Sequence, residues 1–253
     1  LYRLEGLSFR EYLWFKNIVK IDPIEYKDLL ANKAKYEEKI SRVDKLRGHF
    51  KNYLKMGYYP FFLEGESTYH EKLTRILEKT VFEDIANFYA LKTENLFSFK
   101  RIITYIASIP PGELNYNSIS KHIGLDNKTV RHYIHILNET GVVELIRLKK
   151  SGSTVLKPKE KIYLNNPDLY YAVREETGLP NHIGSIREIF FIKMVKNSNN
   201  ALFYSRLGDF EVGGRSKGFA QVRDTKGVSF LVKDDITFGG KHEIPLHLFG
   251  FLY

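Results

Sequence analysis

The 253-residue chain contains no cysteine. Disulfide scaffolds, thiolate zinc sites, iron–sulfur clusters and thiol nucleophiles are therefore excluded, and a reducing compartment is the natural fit. Long apolar runs are missing too. A membrane-spanning helix needs about 18 or more apolar residues in succession, and the longest candidate, Ile186 to Val195, is interrupted by Arg187, Glu188 and Lys193. A cytoplasmic protein without a membrane partner is expected. The N-terminus, Leu1-Tyr2-Arg3, shows neither an initiator Met nor a basic-then-apolar signal pattern, so the chain is expected to begin inside a longer polypeptide. Two common catalytic motifs fail as well. Gly240-Lys241 has Asp235 and His242 where a phosphate-cradling loop needs Gly and Ser or Thr, and neither His70-Glu71 nor His242-Glu243 is followed by the second His of a zinc protease helix.

What is present is a globular composition, with 43% hydrophobic and 27% charged residues. Lys and Arg exceed Asp and Glu by 39 to 30, a net +9 that favours polyanionic partners. The excess is densest in the middle: residues 97–150 carry 8 basic against 4 acidic side chains, whereas residues 1–96 carry 17 against 15. The first of these segments reads as helical. Ser8 followed by Glu11 forms a capping pair, and Thr68 with Glu71 offers a second. A helical stretch over Glu25 to Lys55 follows the first cap, with Val43, Leu46, Phe50 and Leu54 on one stripe; Leu73, Ile76, Leu77, Val81, Ile85 and Phe88 repeat the spacing after the second.

From Phe97 the pattern changes to that of a winged helix-turn-helix. Ile102, Ile103 and Ile106 mark one helix, Ser118 to Ile123 a second, Gly124-Leu125-Asp126 a turn, and Lys128 to Glu139 a third helix capped by Asp126 or Asn127. Strands over Val142 to Lys149 and Lys161 to Leu164 would form the wing. Val130, Tyr133, Ile134 and Leu137 share the apolar stripe of the third helix, leaving Lys128, Thr129, Arg131, His132 and His135 for a DNA groove. Lys149, Lys150, Lys157, Lys159 and Lys161 surround the wing, where they would neutralise phosphates. Docking of a protein partner on the same module stays open.

The remaining residues read as mixed α/β: Pro167 at a helix start, a helix over Ser185 to Lys196, a β-rich run Ala201 to Ser205, and strands at Asp209 to Val212 and Val228 to Val232. Asp209 and Glu211, two apart on a strand, share a face and are the candidate catalytic carboxylates of a PD-(D/E)XK-type nuclease. Glu188 would complete a Mg²⁺ ligand set of Glu188, Asp209 and Glu211. The lysine of that pattern belongs two positions after the second acid, where Gly213 stands, so Lys217 would have to take the role. Glu188 also fits a plainer reading, a capping box begun by Ser185.

In order along the chain, Leu7-Ser8-Phe9-Arg10-Glu11-Tyr12-Leu13, Tyr53-Leu54-Lys55-Met56-Gly57-Tyr58-Tyr59-Pro60, Ile186-Arg187-Glu188 with Phe190, Gly208-Asp209-Phe210, Glu211-Val212-Gly213-Gly214 with Lys217 and Gln221, and Ile244-Pro245-Leu246 to Tyr253 resemble the C-terminal two-thirds of a family of archaeal and bacterial AAA+ ATPases. The resemblance implies an α+β multidomain chain: a helical lid over residues 1–96, a winged helix-turn-helix over 97–164 and an α/β nuclease-like domain over 165–253. It also implies ATP and Mg²⁺ held by a module ahead of Leu1. In that family the Asp-Phe and Glu-Val-Gly-Gly segments are separate arms of a hairpin, and Asp209-Phe210-Glu211 runs them together here. The leading expectation is an ATP-coupled DNA-binding protein with a degenerate nuclease-like domain. A Mg²⁺-dependent nuclease and a non-catalytic DNA-binding regulator are the alternatives, and self-association stays open.

Overall fold

Ser8 caps the first helix as its sequence predicts: its hydroxyl accepts the Glu11 amide while the Glu11 carboxylate accepts the Ser8 amide. In the computed structural model, which describes residues 5–110, 114–147, 160–198, 210–218 and 230–253, this cap opens α1 (Phe9–Phe15). Then come α2 (Tyr26–Ala31), α3 (Lys33–Ser41) and α4 (Leu46–Met56). The single helical stretch expected over Glu25 to Lys55 is thus three helices. Asn32 leaves helical geometry at φ −121° and Lys45 turns left-handed at φ 49°, each breaking the amide ladder. The second expected cap does not form either. Thr68 precedes α5 (Tyr69–Lys79) with φ −105° and ψ 7°, and its side chain accepts no amide there.

After α5 the chain passes through one π-helical stretch, Thr80–Ile85, into α6 (Ala86–Phe88), then α7 (Thr93–Ser108), α8 (Tyr116–Ile123) and α9 (Asn127–Glu139). Strands β1 (Val143–Arg147) and β2 (Glu160–Leu164) pair antiparallel, Val143 opposite Leu164 and Arg147 opposite Glu160. Pro167 opens α10 (Pro167–Thr177), where its missing N–H costs nothing and the Asn166 side chain accepts the Leu169 amide. The last elements are α11 (Ile183–Asn197) and three strands, β3 (Phe210–Gly213), β4 (Phe230–Lys233) and β5 (Glu243–Pro245), which form one parallel sheet in that order. The fold class is α+β, as expected. No helix among the described residues is long and apolar enough to cross a membrane.

The chain forms two compact units, and they do not follow the expected three-way division. One joins Leu1–Glu64 to Ile183–Tyr253, and the other is Gly65–His182. The expected junction at 96/97 falls inside α7, and the one at 164/165 falls just after β2, inside the second unit.

The first unit is held by aromatic packing between residues far apart in sequence. Phe9 on α1 meets Phe50 at 5.2 Å, Tyr53 at 5.4 Å and Phe251 at 5.6 Å, and Phe50 in turn meets Phe190 of α11 at 5.0 Å. A side chain at Gly250 would place its Cβ 2.5 Å from that of Phe9, so glycine is what lets the C-terminal turn lie against α1. Each such buried ring contributes about 1.5–3 kcal/mol by removal from water.

In the second unit α10 packs on α5 and α7. The Tyr69 hydroxyl donates to the buried Asp168 carboxylate, a short contact between α5 and α10. Phe99 of α7 stacks on Tyr133 of α9 at 4.3 Å. Ile102, Ile103, Ile106, Ile119, Ile123, Ile134 and Ile162 are buried in the same unit.

Candidate functional site

The geometry of α7 to β2 begins with two local caps. Asn115 accepts the Ser118 amide at the start of α8, and Asp126 accepts the Lys128 and Thr129 amides, at 2.9 and 3.0 Å, at the start of α9. Between them Gly124 adopts φ 73°, a left-handed conformation that closes α8 and aims the chain into α9. The two helices are also tied by side chains, Ser120 donating to Asn127 at 2.8 Å and Asn127 donating to Asn117.

On α9 the expected inner stripe of Val130, Tyr133, Ile134 and Leu137 is buried, with Ile136 added. Lys128, Arg131, His132 and His135 are exposed, as the sequence pattern requires of a groove-facing surface. Thr129 is placed differently. Its hydroxyl donates to Asp126 at 2.6 Å, so it belongs to the helix cap. That bond and the Thr129 amide hold the Asp126 carboxyl below its ordinary pKa. His135 lies 3.2 Å from Glu139 one turn on, and that carboxylate also accepts from the Tyr89 hydroxyl at 2.7 Å. The Arg131 guanidinium lies over the ring of Tyr116, 3.8 Å from its centroid. Lys128 and Arg131 are not ion-paired among the described residues. Lys149, Lys150, Lys157 and Lys159 lie outside the described residues; Lys161, on β2, is half-buried. Charge is concentrated on this part of the second unit: residues 101–164 carry 10 basic and 5 acidic side chains, the rest of the unit 6 and 9.

The second constellation lies on the parallel sheet and the turns that follow β3 and β4. Lys217 donates to Glu211 in a short contact and to the Val212 carbonyl at 3.3 Å. Gly213 makes this possible, because a Cβ there would sit 2.2 Å from the Lys217 Cδ. The lysine thus crosses the position that a PD-(D/E)XK pattern reserves for it. Nearby, Arg187 binds Asp234 at 2.8 Å and Asp235 at 3.4 Å, and Lys233 binds Glu243 at 3.0 Å. Lys233 is also what holds the Glu243 carboxyl below its ordinary pKa.

Of the expected Mg²⁺ ligands, Asp209 lies outside the described residues, and Glu188 is half-buried on α11. Because α11 begins at Ile183, Ser185 sits inside the helix and does not cap it as the plainer reading of Glu188 required. Among the described residues no group of three or more His, Asp or Glu side chains gathers as a metal site, and Glu211 is already engaged by Lys217. The described residues do not by themselves fit the metal, and no chemistry is derived through it. Sequence reasoning missed two participants, Tyr116 beneath Arg131 and Arg187 beside Asp234. Tyr116 stood ahead of the expected second helix, Ser118 to Ile123, and drew no reading, and Arg187 read as part of a capping motif.

Residues 47–181 match a family described as a domain of unknown function, DUF8612. The chain belongs to that family. The DUF8612 match takes in nearly all of the second unit, with α9 and its exposed face, and leaves out the sheet edge around Glu211 and Lys217. No curated protein and no solved structure matches the chain.

Proposed function

We propose that the chain binds duplex DNA through a winged helix-turn-helix formed by α7, α8, α9 and the β1–β2 hairpin, with α9 as the groove-reading helix. The observation that supports this reading most directly is the exposed pair Lys128 and Arg131, without a carboxylate partner among the described residues, at the N-terminal half of α9, the part of such a helix that meets base edges. The concentration of positive charge in residues 101–164 supports it further. Coupling to ATP through an AAA+ module ahead of Leu1 rests on the family resemblance of the sequence alone. The sheet edge fits a degenerate nuclease-like scaffold, a second reading favoured by Lys217 folding back over Gly213 to reach Glu211.

The test is binding of the full chain to a labelled 30-base-pair duplex pool of random sequence across a salt series. If about five phosphates are neutralised, the log–log slope is roughly −4 to −5, and Lys128→Ala makes it shallower by about one. A chain that binds no duplex at low salt, or whose affinity ignores salt, ends the proposal. Mg²⁺-dependent cleavage abolished by Asp209→Ala would revive the nuclease as an active enzyme.

A further inference from the structure

Arg131 differs from the other groove-facing residues of α9 in what holds it. His135 faces a carboxylate and Thr129 serves the cap, whereas the Arg131 guanidinium rests over an aromatic ring. The distinction matters for charge. A carboxylate partner neutralises a cation and occupies its donors, while a ring attracts the cation through its quadrupole and takes up no N–H. A guanidinium lying over a ring keeps its N–H fork in its own plane, directed away from the ring edge.

The ring is itself braced. Tyr116 is the first residue of α8, directly after the cap Asn115, and its hydroxyl donates to Glu160 Oε2 at 3.1 Å. Glu160 opens β2, and its carbonyl accepts the Leu114 amide at 2.7 Å, which ties the approach to α8 onto the hairpin. Tyr116 therefore stands between the hairpin and α9, fixed from one side and supporting Arg131 on the other.

We infer that Tyr116 is a positioning residue that presents Arg131 as a planar fork to one guanine in the major groove of duplex DNA. The inference rests on the DNA-binding reading above and deepens it. Bidentate recognition of guanine O6 and N7 requires two donors in a fixed plane. A free arginine would lose most of its rotamer freedom in reaching that arrangement, and a platform that has already restricted it removes part of the loss. Lysine, a point charge on a flexible stem, lacks the planar fork that such a platform would orient.

The experiment uses the full chain and selects bound sequences from the random 30-base-pair duplex pool, then measures affinity for the enriched duplex. Wild type is expected to enrich one guanine that Arg131→Ala no longer selects, with affinity falling about tenfold. Replacing that guanine by 7-deazaguanine, which removes the N7 acceptor, should weaken wild type and leave Arg131→Ala unchanged. Arg131→Lys should resemble Arg131→Ala. Tyr116→Leu, which fills the space without a π face, is expected to weaken binding about two- to fivefold and to add nothing on the Arg131→Ala background; Tyr116→Met serves the same purpose if the leucine variant does not fold. Tyr116→Phe should stay within about twofold of wild type, because the ring face remains.

Independent, additive losses at Tyr116 and Arg131, or wild-type affinity in Tyr116→Leu, overturn the positioning role. Wild type that binds duplex without a guanine tied to Arg131 overturns this inference and leaves DNA binding standing. Wild type that binds no duplex overturns both.

Discussion

At the edge of the parallel sheet every cation described above has a carboxylate: Lys217 has Glu211, Lys233 has Glu243, and Arg187 has Asp234 and Asp235. On α9, Lys128 and Arg131 are exposed without one among the described residues, and the arginine rests on Tyr116. The residue types are the same, yet the two surfaces are built for different ends. A paired cation must be separated from its partner before it can meet a phosphate or a base, and the desolvated partner left behind resists the exchange. A cation exposed to water, or lying over a ring, is already available. The paired cations of the sheet edge are committed to their own unit, while the α9 pair suits the DNA-binding surface proposed above.

The sharpest way to break this comparison is Arg187→Ala. Arg187 and Asp234 are nearly buried, with side chains 13% and 11% exposed, so removal of the arginine leaves a desolvated carboxylate without its cation. A loss of about 3–5 kcal/mol is expected in urea unfolding. Arg131→Ala, by contrast, removes an exposed group and should change stability by about 0.5 kcal/mol or less. Similar losses for the two variants would show that α9 is as much a structural element as the sheet edge.

The acid response comes next in size. His247 lies in the turn Leu246–Phe251, buried against Phe50 with ring centroids 6.1 Å apart. Burial, and secondarily the charge of Arg47, lower its pKa to about 3. The folded state therefore keeps this histidine neutral at acidities where the unfolded chain protonates it. Its contribution is fully present above the unfolded pKa of about 6.5 and is lost as pH falls from there toward 3. By about pH 4.5 the loss reaches roughly 2–3 kcal/mol at most. His247→Leu should flatten that part of the stability profile relative to wild type, and an unchanged difference between pH 7 and about pH 4.5 would remove His247 as the cause. On the α9 face His132 and His135 are exposed and have no comparable burial.

These contrasts also explain what could be read from the chain in advance. The helices α8 and α9 were legible because their determinants are local: a cap at Asp126, a glycine at 124, and an apolar stripe from Val130 to Leu137 lie within a few turns of one another. The first unit was not, because it closes through contacts such as Arg10 to the Tyr253 carbonyl, 243 residues apart. No periodicity in either segment announces that pairing. Strand β5 is three residues long and too short to show alternation. The candidate lysine was half legible. Its type and neighbourhood were apparent, but that Lys217 reaches Glu211 depends on the empty space over Gly213, which only the folded backbone shows. That Thr129 bonds its own cap was not legible, because a threonine at the third position of a helix looks the same in sequence whether it faces a groove or bonds that cap.

The smallest effect is the most discriminating for the sheet edge. Glu211→Gln removes the charge that engages Lys217 while keeping the shape of the side chain. The pair is about one-third exposed, 27% and 34%, so solvent already screens it. A stability change of about 0.5 kcal/mol or less is expected. If the edge is a degenerate scaffold, releasing Lys217 in this way leaves duplex affinity and its salt slope unchanged, because the groups proposed to meet DNA are on α9. If instead affinity rises and the slope steepens by about one, Lys217 is a phosphate ligand restrained by Glu211. The distinction drawn between the two surfaces would then be one of degree, set by how firmly each cation is held.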